Sequence, residues 1–323
     1  MTKSITGKIM LNLMKSFFLI LLYIVMFFYP SAVFQGACNG LLLWFNNVFP
    51  TLFPFIIISS MIIKTNTLKV ISKIFGPLCK RIFHVSEQCC FAIIGGFLCG
   101  YPMGARITAD LVQSDHINYD EANYLLSFCN NTSPIFVLSY ILIHHIQVKE
   151  LVLPGMIIFF LSPCICSLLF YTFYYKKNIF YSASAYSNVQ NESCNLTALL
   201  DSCIMNGIES ITQIGGYIVV FSVLINLVQT IIINENLFHT LLLGFLEITN
   251  GITCVNSMIT NKELCWLLSL CIASFGGFCA VAQTGSMVKG AGLSMKYYII
   301  EKLITTIVTS LLAFMYLTIK SIV

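Results

Sequence analysis

The stretch IIGGFLCGYPMGARITAD, residues 93–110, begins like a membrane helix and breaks off at the Gly-Tyr-Pro element, 100–102. The apolar part, 89–99, would be roughly 16 Å long as a helix, whereas the hydrocarbon core of a bilayer is about 30 Å thick. The part that follows carries Arg106 and Asp110, which a lipid-facing helix avoids. The stretch therefore predicts a re-entrant helical hairpin, whose turn is enclosed by protein or lines a wet cavity.

The whole chain is too apolar for a soluble protein, because 58% of its 323 residues are hydrophobic and 9% are charged. We expect an all-α polytopic membrane protein in the lipid bilayer, with about six full spans plus two re-entrant helical hairpins in an inverted repeat. The net charge of +4 does not indicate nucleic acid, since the lysines flank apolar segments. The predicted spans lie near 16–35, 41–63, 151–175, 211–233 and 297–319, with an interrupted one at 119–147.

A second stretch, FGGFCAVAQTGSMVKGAG at 275–292, shares the pattern of the first. In each, a Gly-Gly-Phe element is followed by a further glycine, from Gly95 to Gly104 and from Gly276 to Gly285. This spacing predicts a second hairpin over 264–288, within a repeat of about 100 residues. Because 264–288 is uncharged, a full span is the alternative.

The shared order of elements predicts four units along the chain. Two amphipathic segments, 68–83 and 236–248, are expected to lie along the membrane interface, and a polar linker, 176–195, separates the halves. The predicted units are the N-terminal span 1–37, the first repeat 38–147 (span, interfacial helix, hairpin, broken span), the connecting span and linker 148–195, and the second, inverted repeat 196–323 (span, interfacial helix, hairpin, span).

Lysines predict the membrane orientation through the positive-inside rule. Basic residues precede the first span and follow the second at 64–81, so both regions are expected in the cytoplasm. The first hairpin then opens inward, the second opens outward, and Lys320 ends inside. The full-span alternative instead places Lys289 and Lys296 inside and the C-terminus outside.

The turn of the first hairpin is the first candidate binding element, formed by Gly100, Tyr101, Pro102 and Gly104. A helix that restarts there directs free N–H groups and its positive dipole end into the cavity, which favours a carboxylate. Arg106 adds a planar fork of donors that suits the same group. The alternative is that Arg106 pairs with Asp110 one turn further on.

The interrupted span supplies the second candidate element, in CNNTSPIFV at 129–137. Pro134 removes a backbone donor and disfavours helical geometry at Ser133, so the span should break there. Asn130, Asn131 and Thr132 would then offer amides and a hydroxyl to a substrate or an ion. An ordinary proline kink with these side chains on freed carbonyls is the alternative.

The remaining candidate binding residues lie in the second half. Gln283, Thr284 and Ser286 surround Gly285 and either bind a substrate or cap a restarting helix. Glu247 lies among apolar residues, where it pairs with a cation or with Lys302, or is solvated at the interface. These residues, with those named above, form the predicted substrate site.

Several classes of function are not indicated by the sequence. The fourteen cysteines are scattered without paired spacing, so we predict neither a metal site nor a cofactor. His144-His145 fits a snorkelling pair at a span end better than a metal site. No nucleophile and base pattern is present, so we do not expect an enzyme. The coupling ion and any homo-oligomer cannot be read from the residues.

The motifs GGFLCGYPMGARITADL, CNNTSPIFVL, LEITNG and FGGFCAVAQTGSM together resemble the YlbJ (SpoVV) family of sporulation integral membrane proteins, from about residue 40 onward. They are more distantly similar to Gate, or nucleoside-recognition, domains. The resemblance implies a protein of the outer forespore membrane that moves dipicolinic acid towards the forespore. Two alternatives stay open: a transporter of nucleosides or another small polar metabolite, and a non-transporting scaffold of a sporulation assembly.

Overall fold

The computed structural model describes residues 2–172, 196–232 and 237–322, and these are helical apart from short connections. The predicted linker, 176–195, lies outside the described residues. The α-helices are α1 Thr2–Phe28, α2 Pro30–Leu43, α3 Phe49–Ile63, α4 Thr67–Phe83, α5 Cys90–Cys99, α6 Met103–Gln113, α7 Tyr119–Cys129, α8 Lys149–Phe170, α9 Leu196–Ile231, α10 Leu237–Leu246, α11 Ile248–Met258, α12 Lys262–Phe275, α13 Gly277–Val288 and α14 Met295–Ile322. Two π-helical segments, Trp44–Val48 and Phe136–Ile146, extend α2 into α3 and follow α7.

Within these described ranges, five helices are long and apolar enough to cross a membrane, and a sixth span arises if α4 and the segment Glu87–Cys99, bent by 101°, count as one. The prediction of an all-α polytopic membrane protein is thus confirmed. The first two predicted spans have different bounds, because α1 ends at Phe28 and a new helical stretch starts at Pro30, whose ring cannot continue the hydrogen-bonding of the preceding turn. That stretch runs without interruption for 34 residues, from Pro30 to Ile63.

The first hairpin has the predicted shape, with α5 and α6 packed side by side around 100–102. Gly100 has φ +82°, a left-handed conformation that glycine adopts without strain and that ends α5. The two arms approach closely, since a Cβ on Gly96 would lie 3.0 Å from the Cα of Gly104. Its re-entry into a bilayer stays a prediction.

The predicted second hairpin at 264–288 is wrong. Lys262–Ala291 forms a 30-residue candidate span, and α12 and α13 lack the side-by-side packing that joins α5 to α6. Gly276 and Gly277, with φ of +88° and +77°, interrupt this span locally without reversing the chain. The full-span alternative is therefore the correct one.

The hairpin of the second half lies earlier, where an interfacial segment at 236–248 was predicted. Helices α10 and α11 pack against each other around Glu247. As in the first hairpin, glycines meet across the turn, because a Cβ on Gly251 would lie 2.2 Å from the Cα of Gly244. The prediction from the Gly-Gly-Phe spacing put the hairpin in the wrong segment, because the glycines at 276–277 interrupt a helix and do not turn the chain.

The two hairpins open towards opposite ends of the helical bundle. At one end, His116 Nε2 lies 3.3 Å from the Ile63 carbonyl, and Tyr119 donates to the Gly292 carbonyl at 2.9 Å. At the other end, Lys320 Nζ lies 2.8 Å from Glu263. The expectation that Lys320 lies on the same side as the early lysines is therefore wrong, since the full span 262–291 reverses the direction of α14.

The same end holds Glu150, 3.7 Å from Lys320, so α8, α12 and α14 have termini together there. Opposed hairpins are what an inverted repeat predicts, with the second hairpin moved to 237–258. The four predicted units and their boundaries stay a prediction.

Candidate functional site

The two hairpin tips and the two helix interruptions meet at one place, which we call the central junction: residues 100–102, 130–134, 246–247 and 273–277. The Tyr101 N–H donates to the Asn131 carbonyl at 2.6 Å, which joins the first tip to the first interruption. A Cβ on Gly276 would lie 3.4 Å from the Tyr101 ring, and one on Gly277 would lie 3.1 Å from the Glu247 Cα. Discontinuous helices that meet in this way form substrate sites in many transporters.

Asn130 lies at the centre of this junction and is fully buried. Its Nδ2 donates to Thr284 Oγ1 at 2.9 Å and to the Tyr298 hydroxyl at 3.0 Å. Its Oδ1 accepts from the Ala105 N–H at 3.2 Å. One amide thus connects α6, α13 and α14, as expected for a buried polar group whose hydrogen bonds must all be made within the protein.

The other polar residues of the first interruption are also bonded. Asn131 Nδ2 donates to the Phe128 carbonyl at 2.6 Å, and its Oδ1 accepts from Lys302 Nζ at 2.7 Å. Thr132 donates to the Ala273 carbonyl in the last turn of α12 at 2.8 Å. Ser133 accepts from the Phe136 N–H at 3.3 Å. The interruption is therefore held by side chains, and a substrate that binds these groups must displace existing partners.

The restarting helix α6 does not present an open N-terminus in this conformation. A Cβ on Gly104 would lie 2.6 Å from the Cys129 carbonyl oxygen, so the backbone of α6 packs directly on the end of α7. The Ala105 N–H lies in the first turn of this helix, whose free N–H groups were predicted to face a ligand, and it is bonded to Asn130. Pro102 is buried beneath it. Carboxylate binding at this terminus stays a prediction that requires Asn130 to move.

Arg106 lies outside the central junction and faces a polar groove, which we define by α6, α9 and α13. Its Nε lies 3.1 Å from Asp110, as the alternative of an i, i+4 pair predicted. Its Nη1 donates to Ser210 at 2.7 Å. The groove has a volume of about 1060 Å³ and is lined by Arg106, Gln113, Asn206, Glu209, Ser210, Gln213, Gly216, Tyr217, Val220, Phe221, Leu224, Ser286, Met287, Lys289 and Gly290.

The predicted residues on α13 divide between these two places. Thr284 is buried and bonded to Asn130 in the central junction. Gln283 is also buried, and its Nε2 donates to Cys279 Sγ one turn earlier. Ser286 lines the groove and donates to Gln213 Oε1 at 2.6 Å. Gly285 lies against Met295, 3.6 Å away as measured from an added Cβ.

Glu247 caps α11, and of the alternatives given for it, the pair with Lys302 is not the one that forms. Its Oε1 accepts from the Thr249 N–H at 2.9 Å, and its Oε2 accepts from the Asn250 N–H at 3.0 Å. The Thr249 hydroxyl and the Asn250 side-chain amide add two further bonds at 2.7 and 2.9 Å. A carboxylate at a helix N-terminus satisfies free N–H groups and the helix dipole, so Glu247 has no need of a distant cation.

The sequence reasoning missed Tyr298 on α14 and a group of residues on α9, and it named Lys302 only as a possible partner of Glu247. Tyr298 and Lys302 both reach the central junction, although the apolar pattern of α14 gave no sign of which face they lie on. On α9, Asn206, Glu209, Ser210 and Gln213 lie at helical spacing along the groove. That polar stripe within an otherwise apolar helix was a readable signal, since polar side chains in a span face protein or a wet cavity.

Among the residues that the structure describes, no group of three or more His, Cys, Asp or Glu side chains could hold a metal ion. His144 and His145 lie at the end of the π-helical segment, with ring centroids 5.0 Å apart. Tyr140 packs edge-on against His145, with a centroid distance of 4.7 Å. The pair therefore belongs to an aromatic cluster at the bundle end.

Comparison with known proteins finds one matching family and one similar sporulation protein. Residues 45–174 match the Gate family, which is described as nucleoside recognition. The chain is 25% identical to the sporulation integral membrane protein YlbJ of Bacillus subtilis (strain 168), over 92% of this chain and 80% of that protein. No solved structure matches. The resemblance inferred from the motifs is thus confirmed: the chain is similar to YlbJ over most of its length, and its residues 45–174 match the Gate family.

Proposed function

We propose that this chain is a membrane transporter for a small aromatic dicarboxylate, with dipicolinic acid as the substrate that it moves across the outer forespore membrane during sporulation. The fold, the Gate match of residues 45–174 and the similarity to a sporulation integral membrane protein support a transport-related role over an enzymatic one. The substrate is inferred from the resemblance and from the chemistry of the groove. The outer forespore membrane is inferred from the resemblance alone.

The polar groove is the observation that carries the proposal. At about 1060 Å³ it is large enough for a small aromatic ligand, since ligand pockets commonly measure about 300–1,000 Å³. Its wall combines cations with the apolar and aromatic surface of Tyr217 and Phe221. A planar ring with two carboxylates needs both kinds of contact.

Arg106 is the residue in the groove best suited to a carboxylate. Two of its five N–H donors are used, by Asp110 and Ser210, which leaves three without a partner among the described residues. Lys289 is the second cation of the wall, and Glu209 is an anion there. A dicarboxylate bound between the two cations would therefore find donors at both ends.

The groove is connected to the central junction through two shared helices. Helix α6 presents Arg106 to the groove and Gly104 to the junction, while α13 presents Ser286 to the groove and Thr284 to the junction. A substrate in the groove thus contacts both helices that carry a hairpin arm or a helix interruption. Movement of these helices would carry the substrate towards the opposite opening.

A nucleoside is the second candidate substrate, and the neutral lining of the groove favours it. Asn206, Gln113, Gln213 and Ser286 offer amides and a hydroxyl suited to a sugar or a base. The description of the matched family, nucleoside recognition, points the same way. The cations in the wall favour the anion over the nucleoside.

The deciding experiment is uptake of labelled dipicolinate by vesicles that contain the purified protein, with unlabelled dipicolinate, its diamide and uridine as competitors. Competition by dipicolinate alone is expected, because the diamide and uridine lack carboxylates. Arg106→Gln should reduce uptake at equal abundance, and Arg81→Gln, at an exposed position on α4, is the matched control. Competition by uridine alone would favour the nucleoside, and no uptake of any compound by folded protein would favour a scaffold.

A further inference from the structure

Helix α4 carries three rows of side chains along its length. The buried row packs on the rest of the protein and consists of Leu68, Ser72, Gly76, Cys79 and Phe83. The members of the apolar row lie four residues apart and are between 45% and 64% exposed: Val70, Ile74, Leu78 and Ile82. The lysine row, spaced by one and then two helical turns, consists of Lys69, Lys73 and Lys80.

The lysine row lies between the other two rows on one flank of the helix. Ser72, Lys73 and Ile74 are consecutive, and each residue of an α-helix is turned by about 100° from the one before it. With the buried row against the protein, the apolar row therefore faces away from the protein. In a membrane protein, such a face meets the acyl chains of lipids.

The angle between α4 and the first hairpin suits a helix that lies along the membrane surface. The segment Glu87–Cys99, which contains the first arm of the hairpin, is bent by 101° from α4. A hairpin arm that enters the bilayer along its normal thus leaves α4 nearly parallel to the surface. In that orientation, one flank of the helix is at the level of the lipid headgroups and the apolar row is at the level of the acyl chains.

The positive charge of the lysine row is not neutralised within the helix, because α4 contains no acidic residue. Lys73 is exposed and forms no ion pair with any residue that the structure describes. Lys80 Nζ lies 3.9 Å from Glu87 Oε1, and both side chains are exposed, so this pair is weak. Lys73 and Lys80 are therefore available to an anion outside the protein.

We propose that α4 binds anionic phospholipids, with their headgroup phosphates at the lysine row and their acyl chains on the apolar row. Lysines beside a membrane attract anionic lipids, and an amphipathic helix adds the burial of its apolar face. The adjacent apolar row favours a lipid over free phosphate or an acidic protein surface, because neither of these offers acyl chains. The proposal does not depend on the transported substrate.

The first test titrates the purified protein in detergent with phosphatidylglycerol or phosphatidylcholine and follows the melting midpoint, since a ligand that binds the folded state raises it. Phosphatidylglycerol should reach half of its effect at a lower mole fraction than phosphatidylcholine, and added NaCl should reduce the difference. Glycerol phosphate should leave the midpoint unchanged, because it lacks acyl chains. Equal effects of the two lipids, or an equal shift with glycerol phosphate, would overturn the proposal.

The second test replaces the lysine row by glutamine, in the triple variant Lys69→Gln, Lys73→Gln and Lys80→Gln. The control is Lys296→Gln, which removes one exposed lysine outside α4. Since one lysine near an anionic surface changes lipid affinity roughly fivefold, the triple variant should need at least about ten times more phosphatidylglycerol for half of the effect. The control should behave as the wild type. An equal change per lysine removed in the control would overturn the proposal, because it would reflect the overall charge of the protein.

If the triple variant does not fold, Lys73→Gln alone still decides the proposal, because Lys73 is exposed and has no ion pair to lose. It should need roughly five times more phosphatidylglycerol than the wild type, and an unchanged requirement would overturn the proposal. Neither test measures uptake. A failure of the proposed transport function would therefore leave the result on lipid binding unchanged.

Discussion

The tight contact between the first hairpin and the first helix interruption predicts a specific sensitivity at Gly96. A Cβ added there would lie 1.9 Å from the carbonyl oxygen of Cys129 and 2.9 Å from its carbon. Since contacts below 3.0 Å essentially do not occur for real Cβ atoms, α5 and α7 must separate by at least about 1 Å in Gly96→Ala. The obstacle is backbone, so a side-chain rotation cannot relieve it.

The size of the effect follows from two opposed contributions. Replacing glycine by alanine inside a helix normally stabilises by about 0.5–1 kcal/mol, whereas overpacking of a core costs about 1–3 kcal/mol and more where backbone must shift. We expect a net loss of about 2 kcal/mol, which corresponds to a melting midpoint lower by about 3 °C in a protein of 323 residues.

The assay is thermal melting of the purified protein in detergent, with Gly216→Ala as the control. A Cβ on Gly216 would have no atom within 4 Å, so the midpoint of this variant should stay unchanged or rise by about 1 °C. Equal midpoints for the two variants would refute the argument that α5 packs directly on the end of α7.

Three further outcomes are expected. Arg106→Lys should reduce dipicolinate uptake almost as much as Arg106→Gln, because an ammonium cannot reproduce the planar fork; wild-type uptake in either variant would remove Arg106 from the site. Glu247→Gln should lower the melting midpoint through the loss of about 1 kcal/mol of charged capping at α11, and an unchanged midpoint would contradict that role. In a cysteine-free background, single cysteines at 73 and 296 should be labelled from one side of the membrane and those at 149 and 262 from the other; labelling of 296 together with 262 would restore the hairpin at 264–288.

The first hairpin was predictable because its evidence is local. A segment too short to cross, a Gly-Tyr-Pro element and charges directly after it lie within one stretch of sequence, 93–110. The second hairpin was missed for the opposite reason. Its turn is made by Glu247, and a lone acid in an apolar segment fits a capping role, a buried pair or an interfacial position equally well. Only its bonds to Thr249 and Asn250 distinguish these.

Many residues of the candidate site were predicted from the sequence, but which of them lie together was not. Asn130, Asn131 and Thr132 were expected at a helix break, and they lie there. Whether Arg106 joins them depends on which side of α6 faces α7, and helical periodicity places it on the groove side, away from Gly104. The hydrogen bond from Lys302 to Asn131 depends on the packing of α14 against the first interruption, which no local pattern encodes.

Asn130 has a consequence for how the bundle can move. Its Oδ1 holds the start of α6, whereas its Nδ2 holds α13 and α14, so one side chain fastens elements from both halves of the chain. Separating α6 from α13 must break at least one of these bonds, each contributing about 0.5–1.5 kcal/mol. Because the same amide faces both partners, the loss of one bond frees it to turn away from the other. Loss of the bond between Asn130 and α6 should therefore weaken the bonds between Asn130 and α13 and α14, and loss of the latter should weaken the former.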